Sequence, residues 1–309
     1  MKQVRVAVVQ AGGVLFNREA GIQKLEHWHR EAADSGARLI LFPEAFIGGY
    51  PKGLDFGTRV GIRSDPGRDL FRRYAAGAIR VPSPDVSRIG GLCRELGTTL
   101  VVGVVEHAGG TLYCSALTFG PDGTLLGHRR KLMPTAHERV IWGCGDGASV
   151  HVTKTPHAVV STAICWENYM PLLRTAFYGQ GVEIYCAPTV DDRENWQATL
   201  RHISCEGRCF VLSACPFLRR ADLEEWGPDG LPDPLIAGRS AIFGPMGRLL
   251  AGPAEPGECI LTADLEPDEL WRTRFDFDPV GHYARSDIFT LSVHGRGHSP
   301  VMFEPENED

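Results

Sequence analysis

Short apolar runs rich in β-branched residues alternate along the chain with longer amphipathic segments. The apolar runs predict strands over 4–9, 39–42, 99–105, 112–119, 158–164, 184–187, 210–214, 239–243 and 259–264. The amphipathic segments predict helices over 18–34, with Asn17 as its cap, and over 69–78, 84–95, 169–180 and 194–206. In Val101-Val-Gly-Val-Val105 the β-branched residues fall on both faces, so both faces are expected to be covered and the pattern favours a layered α/β fold.

Two turn sequences add a detail to this architecture. Gly-Pro-Asp-Gly at 120–123 and Gly-Pro-Met-Gly at 244–247 each lie between two strand-like segments and predict hairpins, so the sheets are expected to be mixed. The composition does not change before about Pro279, which predicts a single domain over residues 1–280. A C-terminal tail, 281–309, follows it, and its last ten residues or so are expected to be mobile.

Charge and cysteine content exclude several function classes. The 32 basic and 38 acidic residues form no basic stripe, so we expect no nucleic-acid partner. No apolar run approaches the ~20 residues of a membrane span and no export signal is evident, so no membrane association is expected. The nine cysteines are an odd number at irregular spacing, which favours reduced thiols and a cytoplasmic location.

Cys165 is a candidate nucleophile because of its place between a strand and a helix. It follows the apolar run 158–164 and precedes a segment that predicts a helix. Ligand sites of α/β proteins lie at this end of their strands, and a catalytic cysteine needs either a lowered pKa or a nearby base. A buried structural thiol is the alternative interpretation, because free cysteine is among the most buried residue types.

Glu44 and Lys131 stand in similar contexts elsewhere. Glu44 ends the apolar run Leu39-Ile-Leu-Phe-Pro, and Lys131 lies in a strand-like segment bracketed by Leu132 and Met133. Each residue alone is equally compatible with an ordinary solvated charge. Together with Cys165 they favour a catalytic interpretation, because the surrounding motifs occur in a recognisable order.

The chain resembles the nitrilase superfamily, and specifically its nitrilase branch. The resemblance covers about residues 3–286 and depends on six blocks in order. These are LFPEAFIGGYPKG (41–53), HRRKLMPTAHERVIWGCGDG (128–147), ICWENYMPLLRTAFYGQG (164–181), IYCAPTVDDRENWQATLRHISCEGRCFVLSA (184–214), GRSAIFGPMGRLLA (238–251) and FDPVGHYARSD (277–287).

The resemblance implies a four-layer α-β-β-α sandwich and a catalytic triad. In it Glu44 is the general base, Lys131 stabilises the developing anion with the backbone N–H of Trp166, and Cys165 is the nucleophile. Glu138 matches a second glutamate that positions the lysine. A nitrile carbon is weakly electrophilic, so a soft nucleophile and a cation at the nitrogen suit its hydrolysis.

The expected reaction converts an organic nitrile and water to the carboxylic acid and ammonia through a thioimidate and a thioester. The resemblance implies no metal, nucleotide or organic cofactor. It also implies a homodimer or a higher homo-oligomer.

Two alternatives to a nitrilase remain open at this point. Amidases and related carbon-nitrogen hydrolases use the same triad on small amides, although Trp166-Glu-Asn168 and the 134–147 segment favour the nitrile branch. A binding module that retains a decayed site is the second alternative.

The substrate pocket is predicted from side chains near the motifs. An apolar wall for an arylaliphatic or aliphatic nitrile is expected, although aromatic residues of α/β domains are more often core. Its predicted members are Tyr50, Phe56, Trp142, Trp166, Thr189 and Trp196.

Three further features receive structural interpretations. His202, Cys205 and Cys209 have a metal-like spacing, but they also share one helix face, so no metal site is expected. The glycine-rich segment 143–147 lacks the lysine of a phosphate loop and predicts a tight turn beside the active site. His282 is expected near the pocket mouth without a catalytic role.

Overall fold

The computed structural model describes residues 1–226, 230–295 and 297. Within these residues the strands form one eight-stranded sheet, one six-stranded sheet and one two-stranded ribbon. The first sheet contains β1 (Val4–Gln10), β2 (Val14–Leu15), β3 (Leu39–Leu41), β4 (Ile47–Gly48), β5 (Thr99–Ala108), β6 (Thr111–Phe119), β7 (Leu125–Arg130) and β16 (Cys259–Leu265). The second contains β8 (Thr153–Lys154), β9 (Val159–Thr162), β10 (Ile184–Cys186), β11 (Phe210–Ser213), β14 (Ala241–Phe243) and β15 (Leu249–Ala251). The ribbon pairs β12 (Phe217–Leu218) with β13 (Ile236–Ala237).

Both sheets are mixed, as the turn sequences predict. In the first sheet β1, β3 and β5 are parallel, while β16 and the β5–β6–β7 meander pair antiparallel. In the second sheet β9, β10 and β11 are parallel, and β8, β14 and β15 run antiparallel to their neighbours. The predicted turns at 120–123 and 244–247 close the β6–β7 and β14–β15 hairpins.

The helices are α1 (Arg18–Asp34), α2 (Asp65–Gly77), α3 (Pro84–Leu96), α4 (Pro171–Tyr178), α5 (Glu194–Gly207) and α6 (Asp268–Arg274). Asn17 caps α1 as predicted, since its side chain accepts from the backbone N–H of Ala20 at 3.0 Å. Short 3-10 helices cover Ala136–Val140, Gly147–Ser149, Cys165–Tyr169, Arg220–Trp226 and Pro245–Gly247.

The two sheets pack face to face and the helices cover their outer faces. Between the sheets, the inward residues of β1, β3 and β5 meet those of β9, β10, β11 and β14 in one buried core. A second core joins α1 and α3 to the first sheet, and a third joins α4 and α5 to the second sheet. Across the described residues the layers therefore follow the order α-β-β-α. The strand over Val101–Val105 is covered on both faces, which confirms the prediction.

Several element boundaries differ from the predicted ones. Helix α2 begins at Asp65 rather than 69, because Ser64 accepts from the N–H of Gly67 and Pro66 fits the first turn. The predicted helix over 169–180 is preceded by the 3-10 helix Cys165–Tyr169 and begins at Pro171. Strand β14 begins at Ala241 because Arg239 adopts a left-handed conformation, with φ of 68°.

The C-terminal tail is only partly described. Between Phe275 and residue 295 the described chain contains no helix or strand, and the backbone of His294 packs closely against Gly147. The predicted mobility of the last ten residues concerns positions outside the described part of the chain. Among the described helices, none has the length and apolarity needed to cross a membrane.

Gly103 in β5 allows the chain around Glu44 to approach this strand. Residues 43–46 interrupt the line of β3 and β4, which both pair with β5. A Cβ atom on Gly103 would lie 2.3 Å from the carbonyl oxygen of Pro43 and 2.7 Å from the Glu44 Cα. The glycine is therefore needed where the first sheet holds the Glu44 turn.

We expect Gly103→Ala to lower the free energy of unfolding by about 1–3 kcal/mol, because the backbone around Glu44 must move away. Urea unfolding measures this change. Gly91→Ala in α3 is the matched control, since its Cβ would meet no atom within 4 Å. It should be neutral or stabilise by about 0.5–1 kcal/mol. Equal stabilities of the two variants would contradict the packing described for Gly103.

Candidate active site

Cys165 occupies a sharp turn at the end of β9. Its φ is 52°, a left-handed conformation that is uncommon for residues other than glycine and that clusters at functional sites. Its backbone N–H donates to the carbonyl of Pro188 at 2.8 Å. The hydroxyl of Thr189 donates to the Cys165 sulfur at 3.2 Å. The turn and these two contacts hold the thiol at the carboxyl edge of the second sheet.

Glu44 lies in the interruption between β3 and β4 and is buried. Its Oε1 accepts from the Lys131 ammonium at 2.7 Å and from the Cys114 thiol at 3.4 Å. Its Oε2 is buried and has no hydrogen-bond partner among the described residues. One oxygen is thus held in place, and the other is free to accept a proton.

Lys131 follows the last residue of β7 and its side chain is fully buried. Its backbone N–H donates to the carbonyl of Cys114 at 2.8 Å, which continues the β6–β7 pairing by one residue. Its ammonium donates to Glu44 Oε1 and to Glu138 Oε2, both at 2.7 Å. The ammonium therefore links two carboxylates from separate segments of the chain.

Glu138 is fixed on both oxygens by the turn that follows Lys131. Its Oε2 accepts from the backbone N–H of Thr135 at 2.6 Å in addition to the lysine, and its Oε1 accepts from the Tyr50 hydroxyl at 2.8 Å. The residue lies in the 3-10 helix Ala136–Val140 and is buried. These contacts orient the carboxylate that faces the lysine.

Burial sets the protonation states of this cluster. It raises the pKa of Glu44 to about 6, against the opposing effect of the Lys131 charge. Burial also opposes the charged form of Lys131, but the negative groups around it, Glu44 foremost, hold its pKa well above the ordinary value. Burial and the nearby Glu44 carboxylate raise the pKa of Cys165 far above its usual range. Cys165 is therefore a neutral thiol at rest and needs a base to become a nucleophile.

A cavity of about 310 Å³ opens at the Cys165 turn. Its lining combines two aromatic rings with charged and polar groups: Tyr50, Lys52, Thr135, Glu138, Cys165, Trp166, Val190, Asp191, Asp192 and Arg193. The thiol, the Glu138 carboxylate and these side chains meet in one space. The arrangement can support proton transfer from a thiol and can place a cation beside a developing anion.

The structure corrects part of the predicted apolar wall. Tyr50 and Trp166 line the cavity, and Thr189 contacts the Cys165 sulfur behind it. Trp142 is buried below the wall, where its ring lies 5.9 Å from that of Tyr50 and 5.8 Å from the Lys131 nitrogen. It packs against the lysine rather than lining the cavity.

Trp196 and Phe56 lie outside the cavity. Trp196 is fully buried between α5 and the second sheet, where its indole N–H donates to the Ser213 hydroxyl at 3.0 Å. Phe56 packs against Tyr74, with ring centroids 5.7 Å apart, and lines a separate surface pocket with Arg63. Both aromatic residues complete cores, which was the alternative interpretation of these side chains.

The cavity also contains charged residues that the motifs of the sequence do not identify. The indole N–H of Trp166 donates to Asp191 Oδ2 at 2.9 Å. The same carboxylate binds Arg193, whose guanidinium lies 5.2 Å from the Trp166 ring centroid. The run Asp191-Asp-Arg193 follows β10 at the sheet edge that holds Cys165, and that position could have identified it.

The structure also locates the glycine-rich segment, His282 and His202. Gly145 donates its N–H to the carbonyl of Lys131 at 2.7 Å, which places the glycine-rich turn beside the lysine as predicted. His282 is exposed and is not part of the cavity lining. His202 faces Glu206 at 3.6 Å, and within the described ranges no group of three or more His, Cys, Asp or Glu side chains is placed to hold a metal ion.

Curated proteins similar to this chain are named nitrilases or bifunctional nitrilase/nitrile hydratases. A family model described as carbon-nitrogen hydrolase matches residues 5–275. The chain is 51% identical over 306 residues to an aliphatic nitrilase of Sinorhizobium fredii (strain HH103), covering 98% of this chain and 99% of the relative. It is 50% identical over 309 residues to a bifunctional nitrilase/nitrile hydratase of Lupinus angustifolius, covering 97% and 88%. Nitrilase 2 of Arabidopsis thaliana is 47% identical over 309 residues, covering 97% and 91%.

Solved structures share the fold at low sequence identity. A nitrilase-superfamily member of Saccharomyces cerevisiae superposes with a TM-score of 0.72 at 20% identity, covering 93% of this chain and 97% of that one. An amidase of Nesterenkonia sp. AN1, with acrylamide added to its active-site cysteine, gives a TM-score of 0.67 at 18% identity and covers 88% and 97%. These likenesses establish the sandwich architecture.

We expect Lys131→Met to lower the free energy of unfolding by about 3–5 kcal/mol at about pH 8, because two buried carboxylates lose their cation. Since Lys131 lowers the pKa of Glu44, its loss raises that folded-state pKa further. A carboxyl whose pKa is higher in the folded state than in the unfolded state binds a proton on folding as the pH falls. The destabilisation should therefore shrink towards about pH 5.

Urea unfolding across this pH range measures both effects. Lys154→Met, at an exposed position of β8, is the control and should change stability by less than about 0.5 kcal/mol. A pH-independent loss in Lys131→Met would contradict the role assigned to the ammonium.

Proposed function

The chain belongs to the carbon-nitrogen hydrolase family, and we propose on that basis that it is a nitrilase, which converts an organic nitrile to the carboxylic acid and ammonia. The observation that carries this conclusion is identity of 47–51% to curated nitrilases over 97–98% of the chain. The buried cluster of Glu44, Lys131 and Glu138 supports it, because it supplies a base and a cation whose charges act on the Cys165 thiol. Glu138 and Cys165 also line the same cavity.

The first step is attack by sulfur. Glu44 takes the Cys165 proton on its unpartnered Oε2, and the thiolate forms a C–S bond to the nitrile carbon. One π-electron pair of the C≡N bond moves to nitrogen, where Lys131 stabilises the developing charge. The nitrogen then takes up the proton held by Glu44, which gives a neutral thioimidate and restores the base.

Two water molecules complete the reaction. Glu44 accepts a proton from the first water as it adds to the thioimidate carbon and passes this proton to the nitrogen. Glu44 then moves the hydroxyl proton of the tetrahedral intermediate to the amine, the C–N bond breaks, and ammonia leaves a thioester behind. The second water adds in the same way, the carboxylic acid leaves, and sulfur regains its proton. The overall balance is one nitrile and two waters to one acid and one ammonia.

The tetrahedral intermediate that forms from the first water can also break down to a second product. If the Cys165 thiolate leaves in place of ammonia, the product is the amide. The relative from Lupinus angustifolius is named for both outcomes, so both acid and amide belong in any assay of this chain.

The cavity favours the aliphatic part of the predicted substrate range. Among the described residues, Tyr50 and Trp166 alone supply rings to it, whereas Lys52, Asp192 and Arg193 are charged. A bulky aryl group would displace water from these charges without replacing its hydrogen bonds. We therefore propose aliphatic nitriles as the main substrates. Assembly as a homo-oligomer and a cytoplasmic location stay predictions.

We expect Cys165→Ala to abolish release of ammonia from a panel of aliphatic and arylaliphatic nitriles, because the nucleophile is absent, while the thermal unfolding midpoint stays close to that of the parent. Ammonia, acid and amide are quantified for each nitrile and for the matching amide. Cys205→Ala, in α5 on the outer layer, is the control and should retain turnover.

Three results would redirect the proposal. Ordinary activity of Cys165→Ala would refute the nucleophile assignment. Turnover of amides without turnover of nitriles would support the amidase alternative. Failure of the parent protein on both classes would favour the binding module.

A further inference from the structure

Arg129 and Glu167 form a second buried ion pair beside the cluster described above. The guanidinium Nη2 lies 2.8 Å from Glu167 Oε1, and the two side chains are 6% and 0% exposed. Arg129 precedes Lys131 by two residues, and Glu167 follows Cys165 by two residues. The pair therefore lies between the segment that carries the lysine and the segment that carries the thiol.

The Glu167 carboxylate contacts the immediate chain neighbours of both functional residues. Its Oε1 accepts from the backbone N–H of Leu132 at 2.6 Å, and its Oε2 accepts from the backbone N–H of Ile164 at 2.7 Å. Leu132 follows Lys131 and Ile164 precedes Cys165. A single rigid carboxylate thus limits how far these two backbone segments can separate.

Arg129 adds a second connection between the segments that carry Lys131 and Cys165. Its Nε donates to the carbonyl of Thr162, the last residue of β9, at 2.5 Å. Arg129 belongs to β7 of the first sheet, whereas β9 belongs to the second sheet. The ion pair and its backbone hydrogen bonds consequently join the two sheets next to the catalytic segments.

We infer that the Arg129–Glu167 pair is a positioning device that fixes the Lys131 ammonium relative to the Cys165 sulfur. This inference relies on the proposed function for the roles of those two groups. Lys131 comes from the first sheet and Cys165 from the second, so a small slip between the sheets would move the cation away from the nitrogen of a bound nitrile. A misplacement of about 1 Å can cost on the order of 100-fold in rate.

The energetics of buried ion pairs also favour positioning over stabilisation. Removing two charges from water costs several kcal/mol for each ion, and apolar residues in the same space are often as stable. In addition, Nη1 of Arg129 is buried without a hydrogen-bond partner among the described residues, so the hydrogen-bonding capacity of the guanidinium is not fully used. What the pair gains is directional contact with three backbone groups at fixed distances: the carbonyl of Thr162 and the N–H groups of Leu132 and Ile164.

Glu167→Gln tests this inference with the nitrile that the parent protein hydrolyses fastest. Glutamine keeps one acceptor oxygen but places an NH₂ group against one of the two backbone N–H donors. We expect kcat to fall about 100-fold while KM changes by less than about threefold, because the cavity lining is untouched. If the parent turns over amides only, the same ratio is measured with an amide, so failure of the proposed function and failure of this inference are distinguishable.

Arg129→Lys is the second variant, and it tests the inference if Glu167→Gln does not fold. Lysine keeps the charge but cannot donate to Thr162 and Glu167 with the geometry of a guanidinium. Because Glu167 still bridges the two backbone N–H groups, we expect an intermediate loss of about 10-fold in kcat, again with little change in KM.

Glu206→Gln is the matched control, since the Arg174–Glu206 pair has a distance of 2.7 Å in the outer helix layer. It should alter the thermal unfolding midpoint but not kcat. The inference is overturned if folded Glu167→Gln or Arg129→Lys keeps parental kcat. It is also overturned if all three variants lose kcat only in proportion to lost folded protein.

Discussion

The candidate site depends on one buried ammonium held between two carboxylates. Lys131 donates to Glu44 and Glu138 at 2.7 Å each, in a region where water cannot screen the charges. One cation cannot fully compensate two anions and the burial of all three groups, so the pKa of Glu44 remains raised, at about 6. That residual basicity, with the unpartnered Oε2, makes Glu44 able to take a proton from a neutral thiol such as Cys165.

The packing of the two sheets brings these groups together from different layers of the sandwich. Glu44 and Lys131 are held by segments that follow strands of the first sheet, and Cys165 by a segment that follows β9 of the second. The core between the sheets sets their general separation, and it consists of apolar contacts that have no directional preference. Directional control next to the reacting groups comes from the Arg129–Glu167 pair, with its hydrogen bonds to both segments.

The sequence predicted the layers and the cluster better than the pocket. Strand and helix periodicity depends on local burial, so a layered α/β fold could be recognised from the chain itself. Glu44, Lys131 and Cys165 are each compatible with an ordinary role when taken alone, and only the resemblance to the nitrilase superfamily joins them into one site and implies the four layers. The predicted wall is wrong at Trp142, Trp196 and Phe56, because periodicity does not tell an aromatic core residue from an aromatic pocket residue. Lys52 reaches the cavity through tertiary packing, which no short window of sequence contains, whereas Arg193 follows β10 at the sheet edge that holds Cys165.

During turnover a nitrile becomes covalently attached to Cys165, and acid quenching followed by peptide mass spectrometry detects this attachment. We expect an added mass equal to the intact nitrile for the thioimidate, or to the acyl group less one hydrogen for the thioester, on the peptide that contains Cys165. An adduct confined to another of the nine cysteines would contradict it. So would sustained turnover without any adduct on Cys165 in samples quenched before the steady state.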